Sequence, residues 1–109
     1  MFEILFDELV RKYGEDFNWS FIAFTNKYFI EEAKREIKEG HPLYGETMYS
    51  TAKCDSNDDV MYVISGERYV IIHLTYSENT DASYPHFILF ENVEEELIYI
   101  EKRYLQEYL

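Results

Sequence analysis

Three histidines, His41, His73 and His86, together with Cys54, Ser77 and the neighbouring Asp58 and Asp59, are the side chains of this chain with the clearest chemical potential. Intervals of 32 and 13 residues separate the histidines, so no His-x-x-x-His spacing sets two imidazoles on one metal. No metal site and no cofactor are expected. Side chains of adjacent residues on an extended chain point to opposite faces, so Asp58 and Asp59 read as turn formers rather than as a carboxylate pair. A nucleophile pair of Cys54 and His73 has no elbow or oxyanion signature around the thiol. In HLTYS, residues 73–77, the histidine and serine lie about 13 Å apart along a strand, too far for direct proton transfer. Gly14, Gly40, Gly45 and Gly66 stand singly, so no phosphate-cradling loop is present.

Composition narrows the function classes further. The 109 residues carry 22 acids against 10 Lys and Arg, a net charge of −12, and the imbalance is uneven. Residues 41–109 hold 13 acids and 4 bases, whereas residues 1–40 hold 9 and 6. Such a surface repels phosphate backbones and steers a basic protein towards it, so nucleic acid is not an expected partner. With 47% hydrophobic and 18% aromatic residues the chain has enough apolar area to fold despite that charge. No apolar run reaches the roughly 18 residues of a membrane span, and MFEILFDELVRK lacks the features of a signal peptide. A cytoplasmic protein with no membrane partner is expected. The lone Cys54 excludes an intramolecular disulfide.

The elements that must position these residues follow from periodicity. Phe2, Leu5, Phe6, Leu9 and Tyr13 form one stripe of a first helix that stops at Gly14, and Phe17, Trp19 and Phe21 alternate as a short strand or extended segment. A second helix is expected from an Asn26 cap to Gly40, with Phe29, Ala33 and Ile37 inward and Glu31 paired to Arg35. GHPLYG, residues 40–45, then reads as a helix stop followed by a turn. TMYSTAKC, VMYVI and YVIIHLTY are strands, the last two joined by Ser65 to Arg68 as a hairpin. Pairing Ile64 with Tyr69 would place Val60, Tyr62, Ile64, Tyr69, Ile71 and His73 on one face, opposite an aliphatic core face. SENTDAS is a polar loop, and HFILF is a fourth strand at a sheet edge. Asn92 and Glu95 form the capping box of a last helix whose buried stripe is Val93, Leu97, Ile100, Tyr104 and Tyr108. The fold class is α+β: a single two-layer domain over residues 1–109, with a three- or four-stranded antiparallel meander packed against N-terminal and C-terminal helices.

Within residues 40–90 the strings HPLYG, NDDVMY, HLTYS and YP resemble a family of small bacterial proteins of unknown function. Tyr76 stands where the family pattern has Trp or Tyr. Acidic proteins of this look are encoded beside bacterial toxins as immunity proteins, so the resemblance implies inhibition by binding, with no catalytic residues to carry over. The first expectation is a non-enzymatic binding domain for a basic partner such as a toxin domain. Its contacts would come from tyrosines 44, 49, 62, 69, 76 and 84 and from Asp55, Asp58, Asp59, Glu67, Glu78 and Asp81. The alternative is a small enzyme or ligand-binding module with a pocket around His41, Asp58, Asp59 and His73. His41, Tyr44, Asp58, Asp59, His73 and Tyr76 are thus the candidate binding residues.

Overall fold

A computed structural model describes residues 2–77 and 81–108, with the side chain of Tyr108 outside that description. The elements are α1 (Phe2–Tyr13), β1 (Trp19–Phe21), α2 (Tyr28–Glu36), β2 (Met48–Cys54), β3 (Asp59–Ile64), β4 (Arg68–His73), β5 (Phe87–Phe90) and α3 (Val93–Tyr108). The fold is α+β, as expected, but the sheet has five antiparallel strands in sequential order rather than three or four. The extra strand is the segment after α1. Its Trp19 lies opposite Cys54 and its Phe21 opposite Ala52, so it closes one edge of the sheet.

Both faces of the sheet are covered. α1 and α3 lie on one face, where Phe2, Phe6, Phe17 and Trp19 join Met61, Ile71, Val93, Leu97, Ile100 and Tyr104 in an aromatic-rich core. On the other face α2 contributes Ala33 and Ile37, and the GHPLYG loop contributes Leu43, against Met48, Val60, Tyr62, Ile64, Val70 and Ile72. Two-sided burial explains why β3 and β4 read as nearly continuous apolar runs instead of alternating with polar residues. Among the described residues, no helix is long and apolar enough to cross a membrane.

The hairpin register differs from the expected one by a residue. Ile64 pairs with Arg68, and Val63 with Tyr69, so the connection is the three-residue loop Ser65-Gly66-Glu67. Gly66 and Glu67 both take positive φ, 78° and 57°. A slip of one residue moves every side chain of a strand relative to its neighbour. Tyr69, Ile71 and His73 therefore share the α1/α3 face with Asp59, Met61 and Val63, while Val70 and Ile72 lie beside Val60, Tyr62 and Ile64.

Helix α2 is shorter than its sequence pattern. It ends at Glu36, because Ile37 is extended (φ −82°, ψ 111°) and turns inward to bury. Gly40 is not the helix cap but sits at φ 99° within a turn closed by the His41 N–H on the Lys38 carbonyl, 3.0 Å. At the other end Asn26 accepts the Tyr28 N–H, although Lys27 is the capping position. The ion pair runs from Arg35 to Glu32 rather than to Glu31. In α3, Asn92 accepts the Glu95 N–H at 2.9 Å, as the capping box requires, but Glu95 reaches back to the N–H of Glu91.

Candidate functional site

At one end of the sheet, on the α1/α3 face, Asp59 lies directly across from His73, and His73 directly across from His86. The His73 N–H donates to the His86 carbonyl at 2.9 Å, which extends the β4–β5 ladder by one step. His73 Nδ1 is 2.8 Å from Asp59 Oδ1, so the carboxylate assigns the ring proton to Nδ1 and leaves Nε2 facing outward. Tyr99 and Arg103 of α3, one turn apart, lean over this row. Arg103 donates to the Tyr99 hydroxyl at 2.8 Å and its guanidinium lies over the Tyr99 ring. A cavity of about 280 Å³ lies between the helix and the strand row. His86 is stacked on Tyr84, with ring centroids 4.4 Å apart. Among the described residues there is no group of three His, Cys, Asp or Glu able to hold a metal ion.

The remaining candidates lie elsewhere. His41 is buried on the α2 face, where Nδ1 accepts the Leu43 N–H at 3.0 Å and Nε2 donates to the Pro85 carbonyl at 2.9 Å. Both ring nitrogens are consumed in tying GHPLYG to the chain before β5. Tyr44 is exposed on that loop, beside a cavity it shares with Lys34, Leu43 and Met48. Asp58 and Tyr76 stand together near the N-terminal part of α2. Partial burial pushes the Tyr76 phenol up, and Tyr28, Asp58 and Glu32 push it further. Asp59 and His73 are thus brought together, but His41 is separated from them by the sheet, and Asp58 faces the α2 side.

The HLTYS string is held by a residue that the sequence does not advertise. Glu36, fully buried, accepts the Thr75 N–H at 2.7 Å, the Thr75 hydroxyl at 2.8 Å and the Tyr76 N–H at 2.9 Å. Tyr76 itself takes φ 55°, which aims both amides at the carboxylate. Burial, and then the neighbouring Glu32, push the Glu36 carboxyl above its ordinary range, while Arg35 pulls Glu32 below it. The strings HPLYG and HLTYS therefore contribute fastenings on the α2 face, through His41 and Glu36.

A second candidate surface is apolar and acidic. At the corner where α1 meets β1 and β2, Ile4 (65% exposed), Phe21 (46%), Phe24 (79%) and Tyr49 (51%) are open to solvent. Phe21 and Glu3 line two adjoining depressions. One continues to Ile4, Asp7 and Glu8, and the other to Phe24 and Tyr49. Register places Tyr49, Val63 and Tyr69 in one row on this side. The Tyr69 phenol is pushed up by burial and then by Glu67, Glu96, Glu94 and Glu3, which reports the negative field at this end. Lys27 already places its ammonium 5.0 Å from the Phe24 ring centroid, so a cation can sit on this surface.

Of these, Tyr49, Tyr69 and Glu67 are candidate contacts in the sequence, Phe21 is legible there only as part of an alternating strand pattern, and Ile4 and Phe24 belong to neither group. For Phe24 the signal is FIAFTN, where it precedes the Asn26 cap without belonging to any apolar stripe. Of the other tyrosines, Tyr62 is fully buried and donates to the Phe29 carbonyl at 2.7 Å, whereas Tyr84 is exposed. Glu78 lies outside the described residues. No family model, curated protein or solved structure matches this chain, so the reading of function rests on these surfaces.

Proposed function

We propose that the protein is a non-enzymatic binding domain that captures a basic protein partner, in the manner that the immunity-protein resemblance implies for a toxin domain. The observation that carries this reading is the corner of Ile4, Phe21, Phe24 and Tyr49, an exposed apolar strip bordered by Glu3 and Glu8 and by Asp7, which is ion-paired to Arg11 at 2.7 Å. Aromatic side chains give large contact area at low entropic cost, and a carboxylate border selects a cationic partner and rejects an anionic one. A strip with Phe24 four-fifths exposed costs solvation in the free protein, which burial against a partner recovers. The carboxylates of Glu67, Glu94 and Glu3 around Tyr69 supply the long-range attraction.

The test is affinity capture with this protein as bait in lysate of its source cells, followed by binding of the purified partner to Phe24→Ser and Phe21→Ser. The reading expects a partner of basic isoelectric point and at least tenfold weaker binding for Phe24→Ser, with an unchanged melting temperature. Equal affinity of parent and variant overturns the assignment of this surface.

A further inference from the structure

The row of Asp59, His73 and His86 under α3 stands apart from the capture surface. Residues 41–109 contain four bases, and one of them, Arg103, overhangs the place where two of the three histidines are adjacent. The one carboxylate lining this cavity, Asp59, is engaged by His73. We infer that this cavity binds a small organic oxyanion, a phosphate or carboxylate carried on a compact apolar body.

Each part of the cavity has a role in that recognition. Arg103 spends one N–H on the Tyr99 hydroxyl and keeps four in its planar fork, the geometry that pairs with two oxygens of a phosphate or carboxylate. His73 turns its Nδ1 edge to Asp59 Oδ1 at 2.8 Å, which occupies that carboxylate oxygen and fixes the ring at the rim of the cavity. His86 adds a second ring from the residue before β5, steadied by stacking on Tyr84. The floor is apolar, formed by the cross-strand pair Ile71 and Ile88, and receives the ligand's body. A volume of about 280 Å³ is at the lower end for small-molecule sites and suits one ring bearing one anionic group. In a protein of net charge −12, such an anion is repelled over most of the surface, so binding here requires this local cluster.

The experiment is an NMR titration of the histidine ring resonances of the intact protein with phenyl phosphate, benzoate and inorganic phosphate. His73 and His86 should shift together and saturate with phenyl phosphate, more weakly with inorganic phosphate, which lacks the apolar body. The buried His41 should not move. Arg103→Gln should weaken phenyl phosphate binding at least tenfold while the His41 resonances stay in place, which reports an intact fold. Non-saturating shifts with all three probes overturn the inference, as does binding indifferent to Arg103→Gln. A response of His73 and His86 to Zn²⁺ without any response to the anions overturns it in favour of a metal site. Phe24→Ser should leave the titration unchanged, so failure here and failure of the capture reading are read separately.

Discussion

The two faces of the sheet each hold an acidic side chain out of contact with solvent and treat it in opposite ways. On the α2 face Glu36 is fully buried and its two oxygens accept three hydrogen bonds from Thr75 and Tyr76. On the α1/α3 face Glu96 is 1% exposed and neither of its oxygens has a hydrogen-bond partner. Burial alone therefore says little about what a carboxylate contributes. The partnered one fastens α2 to the end of β4, whereas desolvation pushes the unpartnered one up to about 8.

The largest effect should come from removing the fastening. Glu36→Ala removes the acceptor of three partly buried hydrogen bonds, two from Thr75 and one from the Tyr76 N–H, and should lower stability by about 3 kcal/mol. Chemical denaturation measures it, and a loss below about 1 kcal/mol would show that water replaces the carboxylate at no cost. Glu96→Gln should act with the opposite sign. The folded-state value lies above the unfolded one, so this group favours folding fully below about pH 4.5, and that contribution is lost as pH rises towards 8. At pH 7 the ionised group in the unfolded chain costs the fold roughly 3 kcal/mol, which the amide avoids in part because its own polar atoms stay buried. Melting curves from pH 4.5 to 8 should show the parent losing stability relative to Glu96→Gln, and parallel curves would refute the contrast between the faces.

Two smaller changes sharpen it. His41→Phe keeps the ring but removes the bonds to Leu43 and Pro85, and should cost about 2 kcal/mol. Near-parent stability would mean that the ring's packing against Phe87, not its nitrogens, holds the loop. Asn92→Ala removes the cap at the start of α3 and should cost about 1 kcal/mol, read from the urea midpoint at constant slope. Because that cap is exposed, its loss should be insensitive to pH, unlike the loss at Glu96.

Much of this architecture is legible in the chain itself. The stripes of α1 and α3, the cap at Asn92 and the four strands from β2 to β5 follow from local periodicity and turn chemistry, which act within a few residues. What escaped depends on partners distant in sequence. The end of α2 at Glu36 is set by Thr75 and Tyr76, and by the burial of Ile37 and Leu43, while Gly40 and Pro42 mark a stop without saying how far ahead of them the helix unwinds. The hairpin register turned on Glu67 adopting a left-handed conformation after Gly66, and a glutamate gives no such signal. That one-residue difference is what sets Asp59, rather than Val60, opposite His73. His86 and Arg103 were each unremarkable in isolation and acquire meaning from the row they complete. For GHPLYG, a stop followed by a turn accounts for His41 better than membership of a ligand pocket does, since both of its nitrogens are occupied.

The proposal that acidity at the α1–β1–β2 corner steers a basic partner is tested most directly by association rates against the captured partner at low and high salt. The comparison is between the parent, a corner variant carrying Glu8→Gln beside the apolar strip with Glu67→Gln and Glu94→Gln beside Tyr69, and a control carrying Asp55→Asn and Asp81→Asn. The account predicts that the corner variant associates several-fold more slowly at low salt and loses most of its salt dependence, while the control stays near the parent. Equal rates for parent and corner variant at both salt concentrations would contradict it.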